Sequence, residues 1–401
     1  MAASKGALDG LFVLDMSRIL AGPTCTQLLG DLGATIIKVE NPKTGGDDTR
    51  AWGPNYAPAQ DGTPTDLSAY FMAANRNKRS ISVDIASAEG QRILRHLAAR
   101  ADVVIENFKP GGLEKHGLDH KTLCAAHPGL VYCSISGFGQ TGPNRSQPGY
   151  DLMAQGFGGI MSLTGDPQGT PMKVGVGIAD VMCGMYATIG ILAALRHRDQ
   201  TGEGQHIDLA LVDASMAWLI NEGTNFLTSD TPPLRRGNAH PNIVPYDAFA
   251  CRDGHFLLAV GNDAQFARFA DAIGCGGLAT DPRFQTNLAR LTHRDALMQQ
   301  IRPAIAAFAK DEILMRLQDV QVPCGPINTV PEALSSDQAA ARDGVVEVPA
   351  PGVAEGHVRL LGNPLKFSAT PVSYHRAPPR FGQDTNEVLE TWGPDADPSS
   401  T

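Results

Sequence analysis

Residues 8–40 read LDGLFVLDMSRILAGPTCTQLLGDLGATIIKVE, and this stretch decides the architecture. Leu11–Met16 (LFVLDM) is a short run of β-forming residues, and Thr35–Glu40 (TIIKVE) is a second. Between them Gly22-Pro23 opens a helix pattern that runs through Thr26–Leu32. Proline suits a first helical turn, where its missing N–H would have no intrahelical partner. Strand, helix and strand in succession point to parallel pairing, because parallel neighbours need a crossover.

The same alternation continues outward. Ser87 is placed to cap a helix over Ala88–Arg100, in which Ile93, Leu94 and Leu97 share one face. Asp102–Glu106 (DVVIE) and Leu130–Ser136 (LVYCSIS) read as a third and a fourth strand. The apolar run Val181–Leu195 reads as a buried helix, and His206–Leu211 as a further strand. Asp213 can cap a helix through Trp218 and Ile220. The expected fold class is α/β, with a parallel sheet covered on both faces. A polar, proline-bearing stretch, Thr228–Asn242, marks a change of domain. Tyr246–Val322, with a strand at His255–Val260, reads as a smaller inserted α+β domain. Cys324–Pro326 reads as its exit turn, and Gln383–Thr391 as a late helix. The expected division is 1–222 for the first part of the large domain, 223–330 for linker and small domain, and 331–401 for the return to the large domain.

Composition narrows the function. The chain has 401 residues and a net charge of −9, with 42% hydrophobic and 19% charged residues. General disorder is excluded, and the acidic balance argues against nucleic acid as a partner. The first residues, MAASKGALD, lack an apolar stretch of leader length, and Val181–Leu195 is too short to span a bilayer. The seven cysteines are scattered without a CxxC pair, which fits a reducing cytoplasm and neither a disulfide scaffold nor a zinc site.

Glycine motifs carry little. Gly156–Gly159 lies inside a helix pattern, and Gly175-Val176-Gly177 is followed by Asp180 where a dinucleotide fingerprint would need glycine. Asp180 is the one charge between Val174 and Leu195. It reads either as a helix N-cap or as a carboxylate that helix amides and dipole hold ionised, able to attack an activated carbonyl. Asp151 reads as a cap or an ion-pair partner. Tyr150 reads equally as a core aromatic or a substrate contact. Asn75–Ser80 (NRNKRS) is a solvated turn, a phosphate-binding cluster, or a set of partners for buried carboxylates.

Taken together, the motifs resemble one family along nearly the whole chain. Residues 8–40, GGDDTRAW (45–52), NRNKRSISVD (75–84), ADVVIENFKPGGLEKHG (101–117), SGFGQTGP (136–143), PGYD (148–151), GIADVMCGMYATIGILAAL (177–195), TGEGQHIDLALVDA (201–214), CGPIN (324–328) and GQDTNEVL (382–389) resemble the class III CoA-transferases, the formyl-CoA transferase and carnitine CoA-transferase group. The resemblance implies a Rossmann-like large domain, an interlocked homodimer, and transfer of CoA from an acyl-CoA to a small carboxylic acid. CoA thioester would be a substrate, with no metal or other cofactor. Asp180 falls on the catalytic aspartate. Ile19, Leu20, Val83, Asn107 and Phe108 fall on CoA contacts, and Lys115 on a basic contact to the CoA phosphates. Another basic CoA position is Asn41 here. Trp52 and Tyr150 fall near the acyl group. The glycine flap of formyl-CoA transferase is replaced by His240-Pro241-Asn242-Ile243, so an acid other than oxalate is implied. GNAHPNIVPY resembles most the branch acting on dicarboxylic acids, including succinyl-CoA:glutarate CoA-transferase. A diacid needs a partner for its second carboxylate, and Arg18, Arg50 and His240 are the expected groups, with a structural ion pair the alternative for each arginine.

The 2-methylacyl-CoA racemases of the same superfamily are the competing reading. They carry Gly-His-Asp where this chain has Gly149-Tyr150-Asp151. A tyrosine, with an ordinary pKa of about 10, is a poor substitute for a base poised near neutrality.

Overall fold

Six parallel strands form the central sheet of the computed structural model, which describes residues 6–396. In chain order they are β1 (Phe12–Asp15), β2 (Thr35–Glu40), β3 (Lys78–Ser82), β4 (Val103–Glu106), β5 (Val131–Ser136) and β6 (His206–Ala210). In space they run β3-β2-β1-β4-β5-β6, every neighbouring pair parallel. This is the Rossmann order: the chain winds outward from β1 in one direction, then outward from β4 in the other. Residues 1–5, part of the stretch read for a leader, lie outside the described residues.

The helices around the sheet are α1 (Ala21–Asp31), α2 (Ala88–Arg100), α3 (His120–Ala126), α4 (Asp151–Phe157), α5 (Ile178–Thr201) and α6 (Leu211–Ala217). Ser87 caps α2 as expected, accepting from the Gly90 N–H. Successive strand residues feed opposite faces. Val13, Ile36, Val103 and Val131 pack with Cys25 and Leu29 of α1 and with Cys183, Ala187 and Ile191 of α5. Leu14, Ile37, Val104 and Tyr132 pack with Leu94 and Leu97 of α2 and Leu123 of α3. At 24 residues, α5 exceeds the apolar run read from the sequence. By length and composition it could cross a membrane, but half of its most apolar window is buried inside the protein.

Strand β3 corrects the reading of Asn75–Ser80 as a solvated turn. Lys78 is fully buried and lies 3.3 Å from Asp15 of β1. Arg76 forms a two-pronged pair with Asp31 at 2.6 and 2.9 Å. Of the three alternatives, these residues took the pairing with buried carboxylates.

The chain divides into two units. Of the described residues, the larger holds 6–161, 173–231 and 337–396. The smaller holds 162–172 and 232–336. It is built on an antiparallel sheet of β7 (Tyr246–Cys251), β8 (Gly254–Ala259) and β9 (Cys324–Pro326), around Phe249, Phe256, Phe269, Leu297 and Leu317. Three expectations are thereby revised. Cys324–Pro326 is a strand paired to Phe256–Leu258, not an exit turn. Asp213 lies in the first turn of α6 instead of capping it, and a separate helix, Ile220–Ser229, carries the larger unit past residue 222. Residues 162–172 join the smaller unit, a non-local association that no local pattern signals.

Candidate active site

Strand order places the site. Connections leave β1 and β4 in opposite directions, so a crevice opens beyond their carboxyl ends. The loop after β1 brings Arg18 and Ile19 there, and the residues after β4 bring Asn107 and Phe108. All four line a cleft of about 460 Å³. Trp52, Tyr150 and Asp180 line it as well.

The two loops are tied together. The Asn107 side chain accepts from the Arg18 N–H at 3.0 Å and donates to the Arg18 carbonyl at 2.6 Å. Ile19 has φ of +72°, a left-handed conformation that a β-branched residue adopts only under constraint. Its N–H donates to both Asp47 oxygens at 3.2 Å. Asp47 is in turn paired with fully buried Lys38 at 2.8 Å. Burial opposes both charges, but their mutual attraction prevails, lowering the Asp47 pKa and raising that of Lys38. A fixed ion pair therefore holds the strained residue. Leu20 follows as the cap residue of α1 and packs near Gly177.

Asp180 is brought to the cleft by α5. It is the third residue of α5, in the first turn and 8% exposed; Gly177 occupies the N-cap position. The N-cap expectation is thus corrected. The cap comes from another helix: Asp151, at the start of α4, accepts from the Ala179 N–H at 2.8 Å and the Asp180 N–H at 3.4 Å. Gln155, one turn along, donates to Asp151 at 2.7 Å and accepts from the Val174 N–H at 2.9 Å. Among the described residues nothing donates a hydrogen bond to the Asp180 carboxylate. Burial, and then the negative charge of Asp151, raise its pKa to about 7. The helix dipole does not hold it firmly ionised, contrary to expectation. The result is a desolvated, unpaired carboxyl poised near neutrality, which as the anion is a stronger nucleophile than a solvated aspartate.

The remaining expected residues divide. Trp52 meets Tyr70 edge-on, ring centroids 5.0 Å apart. Tyr70 itself went unnoticed in the sequence; burial and then Asp180 keep its hydroxyl protonated. Arg18 is exposed and lies 2.5 Å from Asp48. A second cavity, of about 320 Å³, shares Arg18 and Phe108 with the cleft and is also lined by Asn41, Thr44, Ile85 and His116. Val83 is buried immediately before Asp84 and Ile85 of that lining, and exposed Lys115 immediately precedes His116. Arg50 is not available to a ligand. It is 5% exposed, bonds Glu40 at 2.6 and 2.8 Å and Asp66 at 2.9 Å, and lies over the Phe71 ring. His240 belongs to the smaller unit, where Nδ1 accepts from the Asn242 N–H at 3.0 Å and the ring lies against Tyr246. Among the described residues no cluster of His, Cys, Asp or Glu could hold a metal ion.

A Rossmann sheet with an unpaired carboxylate facing a cleft at its switch point suits covalent acyl chemistry on a nucleotide-tailed substrate. A family model for CoA-transferase family III matches residues 8–385, and the chain belongs to that family. It is a class III CoA-transferase. It is 46% identical to the succinate–glutarate CoA-transferase of Agrobacterium fabrum, over 97% of this chain and 96% of that protein. The succinyl-CoA:glutarate CoA-transferase of Mus musculus is 37% identical, over 96% and 86%. The crystal structure of a CAIB/BAIF family protein from Brucella suis superposes with a TM-score of 0.83 at 45% identity, covering 96% of this chain and 98% of that one.

Proposed function

We propose that the protein transfers CoA from a succinyl-type acyl-CoA to a short dicarboxylic acid, with Asp180 as the nucleophile. The observation that carries this reading is the unpaired Asp180 carboxyl in the switch-point cleft. The dicarboxylate substrates named for the relatives support the choice of acid.

An Asp180 oxygen attacks the thioester carbonyl, and the C–S bond breaks to give an aspartyl–acyl anhydride and CoA thiolate. The thiolate attacks the aspartyl carbonyl, the anhydride C–O bond breaks, and the donor acid leaves as its carboxylate. The enzyme is left as an aspartyl-CoA thioester. The acceptor carboxylate attacks that carbonyl and expels thiolate. Attack of the thiolate on the new acyl carbonyl then yields the product thioester and free Asp180. The steps balance without an external oxidant, reductant or metal. The Ala179 and Asp180 N–H groups are engaged by Asp151, so oxyanion stabilisation falls to the amides at Leu20 and Ala21, where α1 begins.

In this reading the CoA thioester runs along Ile19, Leu20, Asn107 and Phe108. Its nucleotide lies in the second cavity, with His116 beside it and Lys115 and Val83 near it. Trp52 and Tyr150 flank the acyl chain. Arg18 takes the second carboxylate, displacing Asp48, which supports diacids over monoacids. A homodimer, interlocked as the family resemblance implies, accounts for the apolar side chains left exposed in a single chain: Met153, Phe157, Ile189, Trp218 and Leu227. A cytoplasmic location fits its seven free cysteines.

The test is a matrix of acyl-CoA donors against mono- and dicarboxylic acids, with product thioesters identified by mass. Transfer from succinyl-CoA to glutarate in preference to valerate is expected. Equal or better use of valerate would refute the diacid pocket. Solvent deuterium entering a 2-methylacyl-CoA without an acceptor acid would favour the racemase instead.

A further inference from the structure

Behind the cleft wall lies a buried carboxylate that the transfer steps do not use. Glu106 ends β4 and is 6% exposed, with no cation paired to it among the described residues. Burying such a group is costly without compensation. Its compensation is a set of hydrogen bonds. Oε2 accepts the Phe108 N–H at 2.7 Å. Ser134, its register partner on β5 and 1% exposed, sets its hydroxyl beside the carboxyl and favours the ionised form. Ser134 Oγ lies 3.0 Å from Nε2 of His206 on β6. The His206 ring stacks on that of His120 of α3, with centroids 3.7 Å apart and planes within 3°.

The far side of this network is the ligand wall. Phe108, held by Glu106, lines both the cleft and the second cavity. Asn107, between them in sequence, clamps the Arg18 backbone. Burial lifts Glu106 to about 7 against the bonds from Ser134 and Phe108. Burial, with His120 adding to it, pushes His206 down to about 4, so that ring is neutral and lends no charge near pH 7. The other titratable groups lining a small cavity with Glu106 are Tyr132 on β5, Asp119 at the cap of α3, His120 in its first turn, and Lys109 and Glu114 from the chain after β4. Asp208 lies beside His206 on β6, and Asp15 on β1 is engaged by Lys38 and Lys78.

We propose that Glu106 is a positioning residue of the acyl-CoA site: through the Phe108 N–H, its carboxylate fixes the backbone wall along which the thioester runs, braced from behind by Ser134 and His206. The inference rests on reading that cleft as the CoA site. A hydrogen bond to an ionised acceptor is roughly twice as strong as one to a neutral acceptor. Protonated Glu106 therefore grips Phe108 less firmly, and the wall must be ordered when the ligand binds.

The experiment measures affinity for free CoA by titration calorimetry, in an Asp180→Asn background so that Asp180 does not titrate. At pH 8, adding Glu106→Gln is expected to weaken binding about tenfold. At pH 6, where Glu106 is itself protonated, the two proteins should agree within about twofold. Ser134→Ala in the same background removes a hydroxyl that favours the ionised carboxylate, so the loss of affinity on acidification should begin at higher pH. A purely structural role would give an affinity ratio independent of pH. That result, equal affinities at pH 8, or an unmoved pH dependence in Ser134→Ala would overturn the proposal. Failure of the Asp180→Asn protein to bind CoA at any pH would overturn the reading of the cleft, and this inference with it.

Discussion

Replacing Asp180 by Asn should abolish transfer and at the same time stabilise the fold, increasingly so as the pH rises. In the unfolded chain an aspartate ionises near 3.8, whereas the fold holds Asp180 at about 7, through burial and then the charge of Asp151. At about 1.4 kcal/mol per pH unit, ionising it costs roughly 4 kcal/mol more in the fold than in the unfolded chain. The sign follows from proton counts. Below pH 4 both states carry the proton and nothing is lost. Between about pH 4 and pH 7 the unfolded chain releases its proton first, so native stability falls as the pH rises; above that the slope vanishes. The Asn side chain does not titrate. Its advantage should therefore be about 2 kcal/mol at pH 5 and grow to roughly 4 kcal/mol at pH 8. Urea unfolding of both proteins at fixed protein concentration, from pH 5 to pH 8, measures it. An advantage that does not grow with pH, or an Asn variant less stable at pH 8, would refute the reasoning.

Other expectations follow from the same geometry. The attacking species is the carboxylate, so kcat/KM should fall as the pH drops through about 7. Asp151→Asn keeps an acceptor for the Ala179 N–H but removes the like charge, and pH–rate profiles should show that acid limb moved to lower pH. Asp151→Ala should in addition lose the cap, at a cost of about 1 kcal/mol in urea unfolding. Arg50→Met breaks a buried pair and should destabilise by about 3–5 kcal/mol, without changing the ratio of glutarate to valerate turnover. Arg18→Met loses only an exposed pair, worth about 1 kcal/mol or less, but should lower that ratio.

Much of the fold was legible because it is written locally. Thr35–Glu40 and Ala88–Arg100 were placed to the residue, since each is an apolar pattern bounded by a turn or a cap. Lys78–Ser82 was missed because the charges of Asn75–Ser80 suggest solvent, whereas Lys78 and Arg76 enter the interior through Asp15 and Asp31, which lie far off in the chain. Asp180 stood out as a lone charge in an apolar run. Its environment did not, because the residue that both caps its helix and raises its pKa belongs to a different helix. Arg50 was ambiguous for the same reason: nothing beside it announces Glu40 and Asp66 as its partners. Glu106 reads locally as the polar end of a strand, and its place beside Ser134 and His206 emerges only once β5 and β6 are set beside it.

The central claim is that Asp180 becomes covalently acylated during turnover. Hydroxylamine added during steady transfer between succinyl-CoA and glutarate intercepts an aspartyl anhydride or thioester as a hydroxamate, which peptide mass spectrometry can locate. The account predicts the hydroxamate on Asp180, its formation dependent on the acyl-CoA donor and lost in Asp180→Asn. Sustained transfer with Asp180 unmodified, or near-native transfer by the Asn variant, would contradict it.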